Sequence, residues 1–171
     1  MSTRSRTVAA AIALLALGTA AGADESPAIE HQPNSCTVAG QAFTLCSRVS
    51  DDVQVARVTF YFRRAGETFY SFVVASFDGV NFCATLPAPR QGKAGTIEYY
   101  VQAVDSVFQT QRSSTYLLQV QTPEQCGFAP VEKDPSKVAG LVVYATNQRQ
   151  KKLPEGFIET GVRFVPLGAR K

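Results

Sequence analysis

From residue 29 to residue 121 apolar and polar positions alternate with a period of two, and turn-forming residues interrupt the pattern at short intervals. A period of two marks β-strands, because successive side chains point to opposite faces of a sheet. Seven such runs predict seven strands, at 29–32, 42–50, 55–64, 68–75, 80–86, 95–104 and 113–121. The separators are the polar loop 34–41, Ser50-Asp51-Asp52, Ala65-Gly66-Glu67, Asp78-Gly79, and the stretches 87–93 and 106–109. They are rich in Gly, Pro, Asp and Ser, residues that preset or tolerate turn dihedrals. After residue 23 no stretch carries a 3.6-residue apolar stripe over three turns, so no helix is expected there.

The alternation also assigns faces. Phe43, Leu45 and Val49 share one side of the second run, and Val58, Phe60 and Phe62 share one side of the third. Phe82, Ala84 and Leu86, then Ile97, Tyr99, Val101 and Ala103, then Tyr116, Leu118 and Val120 complete a candidate core. Arg57, Thr59, Tyr61 and Arg63 fall on the opposite side of the third run, and Glu98, Tyr100 and Gln102 on that of the sixth. Seven short strands without intervening helices predict an all-β, antiparallel sandwich of two sheets.

The stretch Thr96-Ile97-Glu98-Tyr99-Tyr100-Val101-Gln102-Ala103-Val104-Asp105 resembles a strand of immunoglobulin-like and fibronectin type III-like modules in exported bacterial proteins. So does the run from Val58 to Arg64, followed by a hairpin and then Phe82-x-Ala84-x-Leu86-Pro87. The resemblance covers residues 29–122 and implies a seven-stranded immunoglobulin-like sandwich. It implies no activity, because such folds host many unrelated functions.

Residues 1–23 have the layout of a secretory signal peptide: Arg4 and Arg6, an uncharged Ala/Leu/Ile run over 8–17, and Ala21-Gly22-Ala23 before Asp24. The apolar run falls short of the ~20 residues a membrane span needs. The mature chain is then expected to begin at Asp24 with no transmembrane anchor, in the periplasm or outside the cell.

All four cysteines follow that leader, at 36, 46, 83 and 126, an even number that predicts two disulfides in an exported protein. Alternation turns Cys46 and Cys83 outward on neighbouring antiparallel strands, close enough to bond. That leaves Cys36, in the first loop, for Cys126, just past the last strand. Cys36–Cys46 would instead need a tight turn around Gly40.

After residue 121 the pattern changes. Pro123, Pro130 and Pro135 with Glu132, Lys133 and Asp134 predict a linker over 123–137. Two apolar runs, 140–146 and 161–166, predict a C-terminal strand pair within 138–171. Two strands are not stable alone, so this extension is expected to pack on the sandwich, another copy or a partner. Its only basic cluster, Arg149, Lys151 and Lys152, reads as a solvated loop.

Composition narrows the function. With Lys+Arg 17 against Asp+Glu 14, a net charge of +3 gives no argument for nucleic acid. A single histidine excludes multi-histidine metal centres, and His31 lacks the context of a hydrolase triad. Asp51, Asp52, Asp78 and Asp105 fall in loops expected at one end of the sandwich. Their spacing matches no calcium loop, and Asp is also an ordinary turn residue. As paired carboxylates they give the rival reading, a small secreted enzyme, inhibitor or assembly factor. Arg57, Tyr61, Arg63 and Tyr100 on one outer face form a candidate binding surface for a protein or glycan. The chain is therefore expected to be a non-catalytic binding or structural module of the cell envelope, without cofactor or metal.

Overall fold

The computed structural model describes residues 24–127 and 139–168. The expected leader, residues 1–23, and most of the expected linker lie outside the described residues. The described residues form twelve strands and no helix: β1 (Ala28–Glu30), β2 (Cys36–Val38), β3 (Phe43–Ser50), β4 (Val55–Arg64), β5 (Ser71–Val74), β6 (Ser76–Phe77), β7 (Phe82–Leu86), β8 (Thr96–Asp105), β9 (Thr110–Arg112), β10 (Tyr116–Gln121), β11 (Leu141–Ala145) and β12 (Val162–Val165). One sheet has the order β1-β3-β7-β6. The other runs β12-β11-β5-β4-β8-β10-β2, with β9 also paired to β8.

The core lies between the sheets and uses the faces that alternation assigned. Val58, Phe60, Phe62, Ile97, Tyr99, Val101, Ala103 and Leu118 of the second sheet meet Phe43, Leu45, Ala84 and Leu86 of the first, all buried. Along β8 inward and outward positions alternate without a break.

The expected seven antiparallel strands differ from this in three places. The polar loop 34–41 contains β2, which runs parallel to β10 with Cys36 opposite Gln119. The expected strand 68–75 starts only at Ser71, and at Ser76 the chain changes sheets to pair with Cys83. The expected strand 113–121 forms only from Tyr116, as β10, and the short β9 precedes it at Thr110–Arg112. Ser113 sits at the break, its Oγ accepting the Val101 N–H at 3.0 Å in place of a ladder carbonyl. The terminal pair β11–β12, expected without a direction, is parallel. A parallel pair needs a long crossover, and residues 146–161 supply it.

That crossover is part of the core. β11 extends the second sheet by pairing with β5, Tyr144 opposite Phe72. Leu141, Val143 and Ala145 of β11 are buried, as are Leu153 and Phe157 of the crossover. Phe157 meets the ring of Phe62 edge-on at 5.1 Å. Its segment is tied to the stretch before β8 by Arg90 N–H to Gly156 O (2.6 Å) and Ile158 N–H to Ala88 O (2.8 Å). Gly156 is required here. It has φ +96°, and a Cβ on it would lie 3.2 Å from that of Ala94 and 3.3 Å from Arg64 Cδ.

Two disulfides join Cys46 to Cys83 and Cys36 to Cys126, with Cα separations of 4.1 and 5.9 Å. Cys46 and Cys83 are direct partners in the β3–β7 ladder. These are the pairs that strand alternation selects.

Candidate functional site

Tyr61 and Tyr100 of the expected surface belong to a continuous row of rings on the second sheet that also takes in Phe72 and Tyr144. Tyr144, Phe72, Tyr61 and Tyr100 are direct neighbours across β11, β5, β4 and β8. Phe72 stacks on Tyr144 at 5.1 Å, and Tyr61 on Tyr100 at 4.6 Å with 6° between planes. Arg112 of β9 closes the row, its guanidinium carbon 3.6 Å from the Tyr100 ring centre. Burial pushes the Tyr61 phenol above its ordinary pKa, with nearby Arg57 opposing. Tyr100 shifts the same way by burial, with Arg112 opposing.

Arg57 is exposed, but Arg63 is committed to the fold. Its Nη2 pairs with Glu98 Oε2 at 2.6 Å, its Nη1 donates to Glu67 O at 2.8 Å, and its guanidinium lies over Tyr70. The ring faces of the row are turned toward one another. What the row offers to solvent is ring edges, phenolic hydroxyls and the cations at its margins.

The loop carboxylates lie at one end of the sandwich, as expected, since β3 and β8 end there and β4 and β7 begin there. They do not converge on a common point. Asp51 Oδ2 accepts the N–H groups of Val53 and Gln54 at 3.2 and 3.0 Å. Asp78 Oδ1 accepts those of Val80 and Asn81 at 2.9 and 2.8 Å. Asp105, buried, accepts those of Val107 and Gln109 at 2.9 and 2.8 Å. Asp52 is exposed beside Asp51. Asp51, Asp78 and Asp105 each brace their own loop, and among the described residues no group of three or more His, Cys, Asp or Glu is placed to hold a metal.

His31 lies deeper than a surface strand residue would. Its Nδ1–H donates to Cys46 O and its Nε2 accepts from Tyr99 Oη, both at 2.9 Å. The carbonyl can only accept, which fixes this neutral tautomer. The ring packs among Phe60, Tyr99 and Tyr116. Burial lowers the imidazole pKa below its ordinary value of 6.5, with the Cys46 hydrogen bond opposing. Burial likewise raises the Tyr99 phenol. A lone histidine gives no sequence signal of burial, so the pattern did not reveal this role.

A folded pKa below the unfolded one makes stability fully present above about 6.5 and lost as pH falls through the folded value. Urea unfolding at successive pH values should therefore show wild type losing stability below about pH 6.5 relative to His31→Gln. Parallel curves for the two proteins would rule this out.

No family model and no curated protein matches this chain. Among solved structures it is similar to an engineered protein, with 17% identity over 56% of this chain and a TM-score of 0.43. The match covers 20% of that chain, so this protein spans about a fifth of its length. It is also similar to a point mutant of the SrpA adhesin from Streptococcus sanguinis, with 14% identity, 68% of this chain and 69% of that chain covered, and a TM-score of 0.39. Both likenesses are distant and transfer no site residue. Among the described residues no helix is long and apolar enough to cross a membrane.

Proposed function

We propose that this chain is an exported, immunoglobulin-like, non-catalytic binding or structural module of the cell envelope. The two disulfides suit an oxidising compartment. The observation that carries a binding role is the half-exposed row from Tyr144 to Tyr100, bordered by Arg57 and Arg112, on the open side of a sheet whose other side is packed. Tyr and Arg are the residues that most often anchor protein interfaces. The partner is a protein rather than a glycan, because sugar stacking needs free ring faces and these rings cover each other. Neither nucleic acid nor a cofactor enters this reading, and it is favoured over the rival enzyme reading because Asp51, Asp78 and Asp105 each serve their own turn.

The test is crosslinking of the mature protein in its own envelope, alongside a hydrolase activity screen of the same preparation. A paired Arg57→Glu, Tyr61→Ser variant should lose the crosslinked partner at least tenfold, a typical hot-spot effect of about 1.4 kcal/mol or more. Unchanged crosslinking would reject this face, and robust hydrolysis would reject the non-catalytic role.

A further inference from the structure

The three braced loops share more than an aspartate. Asp51-Asp52-Val53, Asp78-Gly79-Val80 and Asp105-Ser106-Val107 have the same form, and in each the carboxylate accepts the N–H of the valine two residues on. Each valine points outward, at 54%, 68% and 52% exposure. Phe108 follows Val107 and is 86% exposed, the highest value among the large exposed apolar residues. Its φ of +71° is the only positive one at a non-glycine among the described residues. An aromatic side chain held in left-handed backbone and given almost no burial is strained without a return in packing. The first and third loops are also joined to each other and to the start of the described chain: Ser106 N–H donates to Gln54 O, and Gln109 Nε2 to Asp24 Oδ2, both at 2.9 Å.

This end is acidic as well as apolar. Asp24, Glu25, Asp51, Asp52 and Asp78 lie in these loops or at the start of the described chain beside them, while Arg48 and Arg57 stand back on β3 and β4. A collar of carboxylates is repelled by an anionic lipid surface and by a second copy of the same end. It matches a surface with cations around an apolar recess.

We propose that the loop end is a second interaction surface, which seats Val53, Val80, Val107 and Phe108 in an apolar cleft of a partner protein with a basic rim. With the sheet face on another side, the module can bridge two partners. The proposal rests on a binding role but not on the sheet face.

The chain has no tryptophan, so Phe108→Trp places a single indole at the tip. The probes are a Leu/Lys amphipathic peptide, its Leu/Glu counterpart, and phosphatidylcholine and phosphatidylglycerol vesicles. The Leu/Lys peptide should give a saturable blue shift, weakened by salt and at least about tenfold tighter than with Leu/Glu. In competition, Phe108→Gly should bind that peptide about tenfold more weakly yet melt at the same or a higher temperature, since glycine relieves the positive φ. A residue kept only for the fold would lose stability instead. Tyr61→Ser should leave the peptide response intact, which separates this surface from the sheet face. Four results would each overturn the proposal: a shift with vesicles alone, equal response to both peptides, a shift with protein concentration and no probe, or no shift at all.

Discussion

A chain ended after Gly127 should be unfolded or insoluble, although it keeps every cysteine and ten of the twelve strands. The removed part supplies Leu141, Val143, Leu153 and Phe157 to the core. Without them Phe62 and Val73 face water, and the edge of β5 loses its partner, a site for aggregation. One substitution tests the same point without shortening the chain. Phe157→Ala should cost about 3–5 kcal/mol, the usual range for a buried phenylalanine. In a domain of this size that lowers the melting temperature by roughly 10 °C. Cooperative melting of the shortened chain at the full-length temperature would show that the extension is dispensable.

The sequence announced that an extension exists but not how it docks. Leu153 and Phe157 lie in Lys151-Lys152-Leu153-Pro154-Glu155-Gly156-Phe157, where two apolar residues four apart, with Pro154 and Gly156 between them, mark neither a strand nor a helix by themselves. They are buried by a turn at Gly156 that only the tertiary contact with Ala94 and Arg64 explains. The faces of β3, β4, β7 and β8 were legible because each strand packs one side and wets the other, and a one-residue slip would invert the whole set. The short strands were not. β2 and β6, with three and two residues, are too brief to show a period. At the candidate sites the aspartates were legible as turn residues, yet their count drew attention to carboxylate chemistry. The signal that mattered was the repeated Asp-x-Val, where the side chain fixes the loop and the next apolar residue is left outside. Tyr61 and Tyr100 of the outer row were legible from parity alone, whereas Phe72 and Tyr144 were not read there. The row's ring-on-ring stacking was not legible, because that depends on the register between β4, β5, β8 and β11.

Removing the Cys36–Cys126 bond should have the larger effect of the two disulfides. It closes a separation of 90 residues against 37 for Cys46–Cys83. In the chain-entropy account those loops are worth about 4.6 and about 3.8 kcal/mol. The structural context widens the gap. Cys46 and Cys83 lie within the five-pair ladder of β3 and β7, which holds them together without the bond. Cys36 begins β2, a three-residue edge strand held in the sheet by β10 alone, while Cys126 is buried in the turn beyond β10. The Cys36→Ala, Cys126→Ala double variant should thus lose about 4–5 kcal/mol in denaturant unfolding. It should also exchange the amide protons that tie this edge to β10, such as that of Ala39 bonded to Gln121 O, faster than those of β8, by local opening at the edge. Cys46→Ala with Cys83→Ala should lose less and leave these amides protected. If the two double variants are equally destabilised and these amides exchange no faster than those of β8 in either, the first disulfide is not what holds that edge.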